Sequence, residues 1–404
     1  MARAARTSWA GLCLLLGTIV LVGDREEAAA PGSGPPQDVA AAPPAEPPPT
    51  TTTSTTVPPP RTFTLAAAGD VLLHTATWQQ AQADAGATGR PGHDFVPMLA
   101  GVAPVVQGAD LAICHLETPV APPGGPFSSY PVFSVPPEIV PALAATGFDA
   151  CTTGSNHTFD KGADGVDRTL NALDAAGIAH AGSARTPDEA ARTTLVDANG
   201  VTVGLISYTY GTNGIPAPRG ETWRANIIDE GRILADARLA KQRGAEVVVV
   251  SLHWGNEYVH EPNAQQLDLA PRLIRSPDID LLLGHHAHVV QPVENVDGEW
   301  VVYGMGNMIA NQRQPERSEG LLTRFTFTQQ GGVGGPWKVT QAQFEPLVTV
   351  FNPAIRLLVP DHVLADPATA GDPALRARAT EARDRTTSIV GQRGALEAGL
   401  QPLP

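Results

Sequence analysis

The sequence predicts an α/β domain built on largely parallel strands. Three observations point there. From Thr62 onward, short apolar runs alternate with helical stretches, the pattern of strands covered on both faces. Residues able to carry chemistry sit at the ends of those runs, where α/β sheets place their ligands. After Val289 the pattern becomes β-only, which predicts a second, mostly antiparallel sheet or an extension.

Residues 1–30 read as a signal peptide or an N-terminal membrane anchor. Arg3 and Arg6 form a basic start, and Trp9 to Val22 form an apolar run of signal length, short for a full span. Ala28-Ala29-Ala30 is a candidate cleavage region. Leu12 before Cys13 argues against lipidation, which needs a small residue there. Residues 31–60 are rich in Pro, Ala and Thr, a composition that cannot bury a core. In polyproline conformation at ~3.1 Å per residue they would span roughly 90 Å, a stalk between membrane and domain.

Strands are expected at Phe63 to Ala68, Asp110 to Leu116 and Phe148 to Thr153, the last after a helix beginning near Pro137. A helix over Ala163 to Ala176 leads to a short strand near Ala179. Thr194 to Val196 and Val201 to Tyr208 flank Asn199-Gly200, a strong hairpin signal. A helix over Ile228 to Arg243 precedes Glu246 to Leu252, too Val-rich for a surface strand. Another, Ala264 to Ile274, precedes Ile279 to Leu283. Val289 to Val296, Glu299 to Tyr303, Gly320 to Thr328 and Trp337 to Pro346 complete a domain over residues 61–350. Residues 351–404 read as an extension with a solvated helix at Ala374 to Arg385.

Composition narrows the function. With 27 basic and 41 acidic residues the net charge is −14, which argues against nucleic-acid binding and leaves local bound cations to attract any anionic substrate. Cys114 and Cys151 fall in expected buried strands, where free Cys behaves as a small apolar residue, so they are expected unpaired. There is no G-x-S-x-G, Walker loop or H-E-x-x-H.

Of eleven His residues, six lie in or beside five short sites: Gly69-Asp70, His115-Leu116-Glu117, Ser155-Asn156-His157, His253-Trp254-Gly255 and Gly284-His285-His286-Ala287-His288. Asp70 offers a hard oxygen, and Gly69 would let backbone approach a ligand. Glu117 ends a buried run, where a carboxylate is costly unless paired or metal-bound. Asn156 offers a neutral oxygen, and His157, oriented by Asp160, suits general-acid work. His253 follows an apolar strand. Trp254 and Glu257 beside it are expected to contact substrate. His286 and His288 form the strongest signal, two imidazoles in one turn. In Tyr303-Gly304-Met305-Gly306-Asn307, Tyr303 and Asn307 are further substrate candidates, with backbone donors for an anion.

These residues, with Thr118-Pro119, Asp160-Lys161-Gly162, Tyr258 and the run to Pro292, resemble the CapA family of capsule, or poly-γ-glutamate, synthesis proteins, related to calcineurin-like metallophosphoesterases. The resemblance covers about Thr62 to Pro346. It implies a four-layer α-β-β-α sandwich outside the cytoplasm, membrane-anchored or secreted. It also implies two divalent metal ions (Mn, Fe or Zn) held by Asp70, Glu117, Asn156, His253, His286 and His288, with Glu117 bridging and His157 as the acid. Four positions depart from the family pattern: His115 for Asn, Ser155 for Asn, Ala287 for Pro, and Leu72 where a D-x-H pattern would place His. His74 is the first candidate to fill that gap. Two functions follow as expectations. One is a metal-dependent hydrolase of an anionic envelope polymer. The other is a non-catalytic, metal-braced assembly factor that binds such a polymer. Membrane synthase subunits are expected partners of either.

Overall fold

A computed structural model describes residues 60–332 and 334–404. The expected signal or anchor and nearly all of the stalk lie outside the described residues. Among the described residues no helix is long and apolar enough to cross a membrane.

Among the described residues, fifteen strands form two sheets. The first contains β1 (Thr62–Leu72), β2 (Leu111–Leu116), β3 (Ala150–Thr152) and β4 (Ala179–Ala181), all parallel. The second contains β5 (Thr194–Ala198), β6 (Val201–Thr209), β7 (Val247–His253), β8 (Leu281–His285), β9 (Val293–Val296) and β10 (Glu299–Val302). Five later strands return to the first sheet: β11 (Asn307–Ala310), β12 (Glu319–Gln329), β13 (Trp337–Val350), β14 (Arg356–Leu358) and β15 (Leu400–Pro402). The orders are β14-β13-β12-β1-β2-β3-β4, with β11 on β1 and β15 on β13, and β5-β6-β7-β8-β10-β9. Asn199 and Gly200, both at positive φ, turn the β5–β6 hairpin as expected.

Side-chain alternation builds the layers. Leu111 and Ile113 of β2, Val247 and Val249 of β7, and Leu281 and Leu283 of β8 meet in one core between the sheets. Ala112, Cys114 and Leu116 face the opposite side, against the helices Ile139–Thr146 and Gly162–Ala175. Val248, Val250 and Leu252 face the helices Glu230–Gln242 and Ala264–Ile274. The layers are therefore helix, sheet, sheet, helix, the expected sandwich.

Three expectations are corrected. Cys114 and Cys151 form a disulfide. They are register partners on adjacent parallel strands, their Cα atoms 4.5 Å apart, and both point to the helix side. The boundary at residue 350 also fails. β14 and β15, both beyond it, pair with β13, and the described residues form one compact unit. The last long helix, Pro373–Val390, buries Ala379, Ala382, Thr386, Ile389 and Val390 rather than lying in solvent.

Candidate metal centre

The inter-sheet core changes character at one end. On β2 the inward residue after Leu111 and Ile113 is His115. On β7 the row ends in Ser251 and His253, and on β8 in His285. Register aligns them: Asp70 pairs with His115, His115 with Thr152, and His253 with His285. Loops beyond the same strand ends add Glu117, Asn156, His157, His286 and His288. All of these are buried.

Backbone shape aims the last two. His286 and His288 lie at φ of 89° and 53°, conformations costly for residues with a Cβ and typical of functional turns. Gly284, just before this turn, lets the 302–303 backbone approach β8, since a Cβ there would stand 1.9 Å from Tyr303 O. Gly69 has the same role, not the expected one. Its missing Cβ admits the Met305-Gly306 backbone, and Gly306 O accepts from Asp70 N. The 303–307 segment thus braces β1 against β8 instead of offering free donors.

Glu117 is the least satisfied group. Neither carboxylate oxygen has a hydrogen-bond partner among the described residues. Oε1 lies 3.6 Å from His288 Nε2 and 3.8 Å from His253 Nε2. Burial pushes its carboxyl up to about 7, with His288 opposing. Burial pulls His288 down, but the carboxylates of Glu117 and Asp70 outweigh it and push it up to about 9. Such a site calls for positive charge. Asn156 Oδ1 sits 3.0 Å from His253 Nε2, held there because Asn156 Nδ2 donates to Asn213 Oδ1. His286 Nδ1 is buried without a partner among the described residues, and burial lowers its pKa to about 3. Asp70, Glu117 and His288 offer ligand atoms within 4.8 Å of one another, as do Glu257, His286 and His288. Hard carboxylate and amide oxygens with imidazole nitrogens suit divalent cations, so these residues fit a metal pair.

Asp70 is more occupied than expected. His285 Nδ1 approaches Oδ1 at 2.9 Å, while His286 N at 3.1 Å and His288 Nδ1 at 3.2 Å approach Oδ2. Burial would raise its pKa, but the bonds from His285 and His288 hold it well below the usual carboxylate range. His74 does not fill the gap left at Leu72. Its Nδ1 faces Leu72 O and Asn311 N, and it belongs to no ligand group. His285 takes the place at Asp70 instead.

His157 and Asp160 meet. His157 Nδ1 lies 2.7 Å from Asp160 Oδ2, and Ser155 Oγ accepts from His157 N while donating to Glu117 O. The substrate candidates divide. Glu257 lies at the mouth beside His286 and His288. Asn307 is buried and braces His288, its Oδ1 3.0 Å from His288 Nδ1. Trp254 and Tyr303 are corrected. Both are fully buried on the helix side of the second sheet, where Trp254 Nε1 donates to Tyr303 O and Tyr303 Oη to Glu294. Aromatic walls come from two exposed residues not singled out for this role. Tyr210 lies 4.6 Å from the His286 ring and Tyr258 6.0 Å from the His288 ring. Strand alternation could have shown that Trp254, next to inward His253, points outward.

The chain is 27% identical over 205 residues to the PGA biosynthesis protein CapA of Bacillus subtilis and 25% identical over 197 residues to the capsule biosynthesis protein CapA of Bacillus anthracis, in each case over 48% of this chain. It spans about half the length of these curated relatives, 51% and 48%. Among solved structures it is similar to the calcineurin-like phosphoesterase YfkN of Bacillus subtilis, with 15% identity, a TM-score of 0.42, and coverage of 82% of this chain and 98% of that one. The model of the bacterial capsule synthesis protein family PGA_cap matches residues 64–312, and the chain belongs to that family.

Proposed function

We propose that this protein acts outside the cytoplasm, secreted or held by its N-terminal segment, as a metal-dependent hydrolase of an anionic envelope polymer in capsule or surface-polymer formation. The observation that carries the reading is Glu117, a fully buried carboxylate with both oxygens unpartnered among the described residues and two imidazoles within 4 Å. Asp70, Glu117, Asn156, His253, His286 and His288 would hold the ions. When bound, two divalent cations supply charge that polarises the scissile group and lowers the pKa of a bound water. His157, with Nδ1 tied to Asp160, keeps Nε2 to hold and give the proton a leaving oxygen needs. Tyr210, Tyr258 and Glu257 would border the polymer at the mouth.

One observation favours the second reading, a metal-braced binder without turnover. Asp70 already accepts from three donors, which leaves it less free to hold an ion. The test is Mn²⁺-dependent hydrolysis of a generic phosphodiester and of poly-γ-glutamate, with His157→Ala and Asp70→Ala as controls. Turnover lost in both variants supports the hydrolase. Stoichiometric metal with no turnover on either substrate leaves the binder. Failure to take up metal after reconstitution sinks both.

A further inference from the structure

His115 is fully buried at the edge of the centre. Its ring stacks between those of His285 and His253, with centroids 4.1 and 5.0 Å away. Asp70, His115 and His285 lie close enough together to enclose a cation. Yet both His115 nitrogens are committed. Nε2 meets His253 Nδ1 at 3.0 Å, and Nδ1 meets Thr152 Oγ1 at 2.8 Å. The geometry points to His115 as a positioning residue that sets the tautomer of His253, so that the Nε2 lone pair of His253 faces a divalent cation shared with Asn156 and Glu117. This rests on the metal-centre reading above.

Counting protons carries the inference. Asn156 Oδ1 faces His253 Nε2, and Glu117 Oε1 lies beyond it, so both neighbours of that nitrogen are acceptors. Two arrangements satisfy the row. In one, His253 Nε2–H donates to Asn156 Oδ1, His115 Nε2–H donates to His253 Nδ1, and the Thr152 hydroxyl donates to His115 Nδ1. In the other, His253 Nδ1–H donates to His115 Nε2, His115 Nδ1–H donates to Thr152 Oγ1, and Thr152 donates to Cys114 O, 3.4 Å away. Only the second leaves His253 Nε2 bare for a cation. Both hold the same number of protons, so a switch between them charges no group in the row. The row ends on the β2 backbone, which the sheet fixes.

Ligating imidazoles commonly donate their second N–H to a carboxylate or carbonyl, and losing that partner weakens metal binding ~10–100-fold. Here an imidazole takes the part and passes the bond to a hydroxyl. It adds no negative charge beside Glu117 and Asp70. Strand alternation placed it, since Leu111, Ile113 and His115 share the inward face of β2.

The experiment uses the full chain with Zn²⁺ as probe, chelator competition to resolve the two ions, and ¹⁵N spectra of the His253 ring. In the zinc-loaded wild type, His253 is expected protonated on Nδ1 and metal-bound through Nε2. His115→Leu should weaken one ion ~10–100-fold and leave the other nearly unchanged. His115→Gln, whose Oε1 can reach the place of Nε2, should recover most of that loss. Unchanged affinity in His115→Leu, equal loss of both ions, or zinc on His253 Nδ1 would overturn the inference. If His115→Leu does not fold, Thr152→Val deletes only the terminal acceptor. A several-fold loss of the same ion is then expected, and no loss overturns the inference. Wild type that binds no zinc defeats the metal-centre reading itself, whereas two ions bound alike by wild type and His115→Leu defeat only the role of His115.

Discussion

Glu117 and Glu319 are both glutamates buried inside the same unit, and their surroundings are opposite. Glu319, at the start of β12, has Arg378 and Arg385 of the last long helix within 2.5 and 2.7 Å of Oε1. Glu117 has no Arg or Lys within salt-bridge distance among the described residues. Two imidazoles lie within 4 Å of it, and its oxygens go unpartnered among the described residues. A carboxylate that serves the fold brings its cations along the chain. On the proposed reading, one that serves a site is left to take them from solution. Glu345 on β13 shows a third outcome. Its Oε1 is unpartnered among the described residues, and burial, with Asp361 adding to it, pushes its pKa up to about 8, so it carries a proton instead.

The comparison can be broken most sharply at the site. Glu117→Gln and His157→Ala should each lower any metal-dependent phosphodiester turnover by ~100-fold or more, while Glu319→Gln should leave it intact in protein that remains folded. Equal turnover in Glu117→Gln and wild type would remove the contrast. On stability the order reverses. Glu319→Ala removes the buried acceptor that Arg378 and Arg385 share, leaving them Glu381, and should cost about 1–3 kcal/mol by denaturant unfolding, with metal stoichiometry unchanged.

Metal addition sharpens the same contrast. At 100 times the dissociation constant, Mn²⁺ should stabilise wild type by about 2.7 kcal/mol, read from the thermal midpoint. Glu117→Gln should lose that gain and be at least as stable as wild type without metal. A last test concerns Glu345. A carboxyl with a raised folded pKa contributes stability that is full below about 4.5 and lost as pH rises through about 8. Wild type should therefore lose about 4 kcal/mol relative to Glu345→Gln between pH 5 and 9. Parallel pH profiles for the two would show that this carboxyl does not titrate as described.

The fold was legible wherever local pattern decides it. Alternating apolar runs and helices located the two sheets, and the helix Ala264–Ile274 matches its expected bounds. The last 54 residues were not legible in the same way. β14 and β15 are three residues long, too short to show a period, and the buried stripe of Ala379 and Ala382 contrasts weakly with its surroundings. The disulfide depends on β2 lying next to β3, which no local signal reports. At the site, the residues expected as ligands do converge, but His115 and His285 were passed over because their partners lie on other strands. Asp70 and His285 are 215 residues apart in sequence. Trp254 misled because it stands beside His253 in sequence, while the pleat turns it to the other side.

The candidate ligands come from both sheets. Asp70, Glu117 and Asn156 belong to or follow β1, β2 and β3, whereas His253, His286 and His288 belong to or follow β7 and β8. Cations held among them would act as a clasp across the seam of the sandwich. Any breathing motion that parts the two layers at that end would first have to release an ion. Amide exchange at the ends of β2 and β7 would then slow together on loading, and a chelator would loosen both layers at once, far from any surface it could touch.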